Sequence, residues 1–151
     1  MQKKLVPDVI KECRCLTILP DKTVHQAAAL MTNENIGALV VVKGTRIVGI
    51  ITERDLMRKV VAVGLEPDAT LVKDVMTPNP DTVTGDMLSG QALDMMVEKG
   101  YRHLPIVDED QKPIGMVSVR DLYQAVQAGL AEDLHACEAY VHGEDGYGIG
   151  A

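Results

Sequence analysis

The phrase Gly49-Ile50-Ile51-Thr52-Glu53-Arg54-Asp55-Leu56 returns in the second half of the chain as Gly115-Met116-Val117-Ser118-Val119-Arg120-Asp121-Leu122. In both copies β-branched and apolar residues run up to a hydroxyl residue, and a carboxylate follows three positions on. That is the pattern of a strand turning into a helix. The copies belong to a longer match. At one constant offset Thr17 meets Thr82, Ala27 meets Ala92, Met31 meets Met96 and Leu39 meets Leu104; the offset grows by one position after a second hairpin that is longer than the first by a single residue. A 151-residue chain that repeats itself in this way builds one supersecondary unit twice. A small polar pocket is expected at each junction, the two related by pseudo-symmetry.

Each unit reads as β-α-β-β-α. In the first, Leu16 to Leu19 is a strand stopped by Pro20-Asp21. Val24, Ala27, Ala28 and Met31 then recur at helical spacing behind a cap at Thr23 or Asp21. Leu39 to Val42 is a buried strand, Lys43-Gly44-Thr45 a hairpin, Ile47 to Ile51 its partner, and the last helix stops at Gly64. The second unit repeats the order from Thr82 to Leu130. The expected division is a lead-in over 1–15, a repeat over 16–66, a linker over 67–80 that opens on Glu66-Pro67-Asp68-Ala69-Thr70 and continues as a short helical or extended segment over Leu71 to Met76, a repeat over 81–130, and an acidic, Gly-rich tail over 131–151 whose end, Gly143 to Ala151, is expected to be mobile. A unit of about 55 residues buries too little surface to be comfortable alone, so the halves should pack as one body with the helices between them. The fold class is α+β.

Composition excludes several functions. With no Trp, no Phe and 3% aromatic residues, stacking surfaces for single-stranded nucleic acid are nearly absent. The net charge of −7 opposes the basic face of a nucleic-acid binder. Of the 22 acidic residues five lie beyond Ala131, where there is no Lys or Arg, leaving 17 acids against 15 bases in the body. No apolar run approaches the roughly 20 residues that span a bilayer, and no secretory pattern stands at the start, so a cytoplasmic protein without membrane or nucleic-acid partners is expected. Three Cys without framework spacing fit a reducing compartment.

The duplicated unit resembles the cystathionine beta-synthase (CBS) domain pair, or Bateman module. The resemblance rests on Val24 to Met31, Ile36-Gly37-Ala38-Leu39-Val40-Val41-Val42 and the phrase from Gly49 to Leu56. It rests equally on Val75-Met76-Thr77, the stretch Gly100-Tyr101-Arg102-His103-Leu104-Pro105-Ile106-Val107-Asp108, and the phrase from Gly115 to Leu122. The resemblance implies a tandem pair of CBS domains with pseudo-two-fold symmetry, a regulatory role, and an adenosine-containing ligand such as AMP, ADP, ATP, S-adenosylmethionine or NAD. It further implies a flat homodimer and an unidentified protein target. In such proteins the aspartate at the last helix holds the ribose hydroxyls and nearby basic residues approach the phosphates. Mapped residue by residue, one pocket would use Thr17, Ala38, Thr52, Arg54 and Asp55. The other would use Thr82, Arg102, His103, Pro105, Ser118, Arg120 and Asp121.

Plain chemistry leaves alternatives open. Thr52 with Asp55, and Ser118 with Asp121, also read as ordinary helix capping boxes. A cap does not call for an arginine before the aspartate, however, and Arg54 and Arg120 both stand there, where a guanidinium beside a helix start suits a phosphate. Arg102 and His103 are either solvated residues at a strand edge or phosphate contacts; Gly37 and Ala38 replace them in the first unit, so if the basic pair touches phosphate the two pockets cannot be equivalent. No nucleophile elbow, phosphate loop or zinc-protease motif is present, and no enzymatic activity is expected. Cys13, Cys15, His135 and Cys137, with His142 nearby, would be the ligands of a competing metal- or redox-responsive interaction protein. Their one-residue spacings are tighter than those of zinc fingers, and no metal is expected.

Overall fold

The computed structural model describes residues 3–12 and 14–149, with side chains to Ala139. Two separate sheets form, one per repeat. In the first, β1 (Thr17–Ile18) runs parallel to β2 (Ala38–Lys43), β2 is antiparallel to β3 (Arg46–Thr52), and β3 is antiparallel to β4 (Thr77–Pro78). In the second, β5 (Val83–Thr84) runs parallel to β6 (His103–Val107), which is antiparallel to β7 (Pro113–Ser118). Both hairpins carry a register shift at the same place, between Val41 and Val42 and between Ile106 and Val107. The match between the repeats thus holds down to an irregularity of the ladder.

Helices α1 (Val24–Glu34) and α4 (Ser89–Lys99) start and stop as their termini require. Thr23 Oγ1 accepts from the Gln26 backbone N at 3.1 Å while Gln26 Oε1 accepts from the Thr23 N at 3.0 Å, closing a reciprocal cap. α4 opens at Leu88, which has no oxygen to offer, and keeps only the returning bond, Leu88 N to Gln91 Oε1 at 3.2 Å. Asn35 (φ 54°) and Gly100 (φ 73°) end the two helices in the left-handed conformation. The buried face of α1, Val24, Ala27 and Met31, packs with Leu39, Val41 and Ile51. Ala92 and Met96 of α4 pack with Leu104, Ile106, Val117 and Leu122. Three of the residue pairs matched in sequence, Ala27 with Ala92, Met31 with Met96 and Leu39 with Leu104, are therefore paired in the two cores.

The segments that connect the repeats are structural parts of them. α3 (Val72–Val75) buries Val72 and Val75 in the first core. The lead-in is its counterpart: a single wide turn, Leu5–Val9, buries Leu5 in the second core. The backbone bonds repeat one for one. Leu5 N donates to Met87 O, Val6 N to Gly85 O and Ser89 N to Lys3 O; Val72 N donates to Lys22 O, Lys73 N to Pro20 O and Val24 N to Thr70 O. Each repeat is thus closed by the stretch preceding the other, and residues 3–10 belong with the second half.

The chain leaves β3 into α2 (Glu53–Leu56), which widens into a helical turn over Met57–Val61. It leaves β7 into α5 (Val119–Ile149). Leu130 is where the apolar periodicity ends, and every side chain from Ala131 to Ala139 is exposed, so packing stops there. The backbone helix nevertheless continues to Ile149 through the tail expected to be mobile. Ala, Leu and Glu over 131–139 favour a helix without tertiary support. Cys13, Gly150, Ala151 and the side chain of His142 lie outside the described residues.

Candidate functional site

The two duplicated phrases end in the same local geometry. Thr52 caps α2: Asp55 N donates to Thr52 Oγ1 at 3.1 Å, and Asp55 Oδ2 accepts from Thr52 N at 3.0 Å and Oγ1 at 3.1 Å. Ser118 caps α5 likewise: Asp121 N donates to Ser118 Oγ at 3.1 Å, and Asp121 Oδ2 accepts from Ser118 N at 2.8 Å and Oγ at 2.9 Å. One more bond fastens each helix start to its own hairpin, Glu53 N to Gly37 O at 2.9 Å and Val119 N to Arg102 O at 2.8 Å. The capping reading is therefore true at both sites, and the question is what remains of each carboxylate.

At Asp55 little remains. Its side chain is buried, and Oδ1 accepts from Thr77 Oγ1 at 3.4 Å and lies 3.0 Å from Lys59 Nζ, one helical turn on. At Asp121 the second oxygen is free: among the described residues nothing donates to Oδ1, and the residue is only half-buried. Ala125 stands where the repeat would place a counterpart of Lys59. A carboxylate offers about four lone-pair sites. Asp121 has one oxygen that no described residue occupies, whereas both oxygens of Asp55 are committed to the protein.

Each aspartate heads a cleft, and each cleft draws its walls from both repeats. Ser118, Arg120 and Asp121 face Leu16, Ile36, Gly37 and Ala38 across a cavity of ≈ 630 Å³, with Met116 at its back and the Arg14–Glu34 ion pair, 2.6 Å, on its rim. Thr52, Arg54 and Asp55 face Asp81, Tyr101, Arg102 and His103 across a cavity of ≈ 240 Å³. Arg102, His103 and Glu53 line both. This corrects the sequence reading, which grouped each pocket within one repeat. Ala38 belongs with Asp121, and Arg102 and His103 stand between the clefts. Thr17 lies in a different concavity with Lys22 and Gln26, Thr82 in another with Arg46 and Gln111, and Pro105 is buried in β6 opposite Met116. These three do not join the other site residues.

The walls differ as the substitutions between repeats dictate. Leu16 and Ile36 give the larger cleft apolar surface; their counterparts in the smaller one, Asp81 and Tyr101, are polar and bonded to each other, Tyr101 OH donating to Asp81 Oδ2 at 2.9 Å. Lys99 also reaches Asp81 Oδ2 at 2.9 Å, and the two donors hold the Asp81 carboxyl below the usual range. Burial lowers the His103 pKa below its ordinary value, with Glu53 and Asp121 opposing, so the imidazole is neutral at pH 7. Leu16, Ile36, Glu53, Lys59 and Thr77 were missed by the sequence reading. Lys59, four residues after an aspartate, was visible there as a partner; Leu16, Ile36 and Glu53 were not, because their roles depend on how one repeat faces the other, and Thr77 was not, because it reaches Asp55 only through the pairing of β4 with β3.

A family model of the CBS domain matches residues 6–62 and 72–128. The chain is a tandem pair of CBS domains. It is 40% identical over 128 residues, 82% of its length, to the CBS domain-containing protein CBSX3, mitochondrial, of Arabidopsis thaliana, and spans 62% of that protein. It spans 56% of a Methanopyrus kandleri protein, MK0525, to which it is 42% identical over 110 residues. Among solved structures it resembles the CBS-domain containing protein ATU1752 of Agrobacterium tumefaciens, at 29% identity and TM-score 0.74, covering 80% of this chain and 98% of that one. It shares its fold with CBS domain protein PAE2072 of Pyrobaculum aerophilum, which was solved with AMP, at 22% identity and TM-score 0.71 over 79% of this chain and 89% of that one. Among the described residues no helix of this CBS pair is long and apolar enough to cross a membrane. Of the residues weighed as metal ligands, Cys15 is half-buried before β1, and His135 and Cys137 are exposed on α5. No three such ligands gather among the described residues.

Proposed function

We propose that this CBS pair is a regulatory module without chemistry of its own, which binds an adenosine nucleotide, AMP, ADP or ATP, in the larger cleft and passes its occupancy to a protein partner. The observation that carries the reading is Asp121 Oδ1, which accepts from no described residue, in a cleft that Leu16 and Ile36 also line. A ribose diol needs an acceptor, an adenine ring needs apolar surface, and a phosphate needs cations; Asp121, Leu16 with Ile36, and Arg120 with Arg102 supply these in one cavity. The smaller cleft has the same plan, but both oxygens of its aspartate are already paired, so we assign the nucleotide to the Asp121 side. S-adenosylmethionine and NAD carry the same adenosine and belong in the test.

A homodimer fits the exposed apolar residues on the helices that follow the two junctions, Met57, Val61 and Val63 on one side and Tyr123, Leu130 and Leu134 on the other. The free thiols Cys15 and Cys137 suit a reducing compartment such as the cytoplasm. The test is a thermal-shift panel of the five ligands, followed by calorimetry. A ligand that binds only the folded state at about 100 times its Kd stabilises by roughly 2.7 kcal/mol, a shift of several degrees for a chain of this size. Unchanged melting with all five refutes the reading.

A further inference from the structure

We infer that Glu53, a residue of the first repeat, sets how many phosphates the larger cleft accepts, because its carboxylate lines both clefts and forms no ion pair among the described residues. This rests on the nucleotide reading above and goes beyond it to the choice among AMP, ADP and ATP. Glu53 lines both clefts, and its side chain lies over Gly37, whose Cβ, if it had one, would stand 3.1 Å from Glu53 Oε1. It is exposed, and among the described residues it forms no ion pair. The repeat makes the point by contrast, since the corresponding residue at the start of α5 is Val119, which carries no charge.

The charges facing the larger cleft then decide the matter. Arg14 and Glu34 neutralise each other in their ion pair. Arg102 and Arg120 supply two positive charges, Asp121 and Glu53 two negative ones, and His103 is neutral at pH 7. The cleft has no cationic surplus before a ligand arrives. A nucleoside monophosphate brings about two negative charges that the two arginines can meet; a triphosphate brings about two more, for which no further unpaired cation among the described residues lines the cleft and which Glu53 repels. Gly37 matters to this, because a larger residue at that position would push the Glu53 side chain off the strand edge it now covers.

The test is calorimetry with AMP, ADP and ATP on the unaltered chain, on Glu53→Gln, which keeps the shape and removes the charge, and on Glu53→Val, which copies Val119. For charges roughly 8 Å apart at an effective dielectric of about 40, removing the carboxylate should improve affinity roughly fivefold for each added phosphate charge at low salt. ATP should therefore gain more than ADP, and ADP more than AMP, in both variants, with the gains shrinking as ionic strength rises. A constant ratio of ATP to AMP affinity across the three proteins overturns the inference while leaving the nucleotide reading standing. An equal loss for all three ligands also overturns it, since Glu53 would then be a ligand contact. Absence of binding by the unaltered chain removes both.

Discussion

Replacing Asp121 and Asp55 one at a time should move stability and affinity in opposite rank order. Asp121→Ala removes the side of a cap that reaches back to Ser118 N at 2.8 Å, a loss of about 1 kcal/mol. It also removes the carboxylate oxygen that no described residue occupies, and burying two ribose hydroxyls without their acceptor costs about 1–3 kcal/mol, roughly five- to a hundredfold in affinity. Asp55→Ala removes the equivalent cap, the 3.0 Å contact to Lys59 and the bond from Thr77. Lys59 is about half exposed, so that pair adds only up to about 1 kcal/mol, and the total stability loss is about 1–3 kcal/mol. Nucleotide affinity in Asp55→Ala should stay within about twofold once the protein is folded, since nothing the ligand needs has changed. Ala125→Lys provides the converse, placing an ammonium one turn from Asp121 as Lys59 stands to Asp55. Adenosine, which has no phosphate to be attracted by the new charge, should then bind more weakly. Urea denaturation gives the stabilities and calorimetry the affinities. Equal loss of affinity in Asp55→Ala and Asp121→Ala, or unchanged affinity in the double variant with its fold intact, would refute the reasoning and leave both aspartates as helix caps.

Arg120→Ala should weaken ATP and ADP binding more than adenosine binding, and the difference should diminish at high salt, because the guanidinium is exposed and its attraction to phosphate is screened; titrations at two ionic strengths read this directly. Leu5→Ala should destabilise the protein by about 2–5 kcal/mol in denaturant unfolding, the cost of emptying a fully buried site in the second core, although the residue lies far from that core in sequence. A loss below about 0.5 kcal/mol would mean that the lead-in is not part of the fold. Burial depresses the His103 pKa in the folded state, so the unfolded chain takes up a proton first as pH falls. The contribution of His103 to stability is therefore present above the ordinary value near 6.5 and is lost as pH drops through the folded value. The stability difference between the unaltered chain and His103→Gln, followed by unfolding at about pH 7.5 and about pH 5, should narrow on acidification.

The repeat made most of the architecture legible. A long period whose phase is kept through helices and strands leaves few ways to fold, and β1 to β3, α1, β5 to β7 and α4 all lie close to their expected places. Thr52, Arg54 and Asp55, and with them Ser118, Arg120 and Asp121, were also legible, because a strand-to-helix junction and its cap are local events set within a single turn of chain. The lead-in and the linker were legible only in part, Leu71 to Met76 as a short helical or extended segment but not as part of the first core, for the opposite reason. Lys3–Ile10 and Thr70–Pro78 have little periodicity of their own, and their burial depends on edges of distant elements that accept their backbone bonds.

Which aspartate is free is the clearest division between the two kinds of information. The chain determined by itself that two caps, two arginines and two carboxylates exist, that Lys59 follows one carboxylate by a turn, and that Ala125 follows the other. Only the tertiary structure decided that Thr77 of the linker pairs onto β3 and completes the shell of Asp55, that Leu16 and Ile36 of one repeat wall the cleft of the other, and that Glu53, Arg102 and His103 line both. Periodicity records which face of an element is buried, and capping records where it starts. Neither records which foreign surface that face will meet, because that contact is chosen when two cores pack together and every chain segment competes for the same edges.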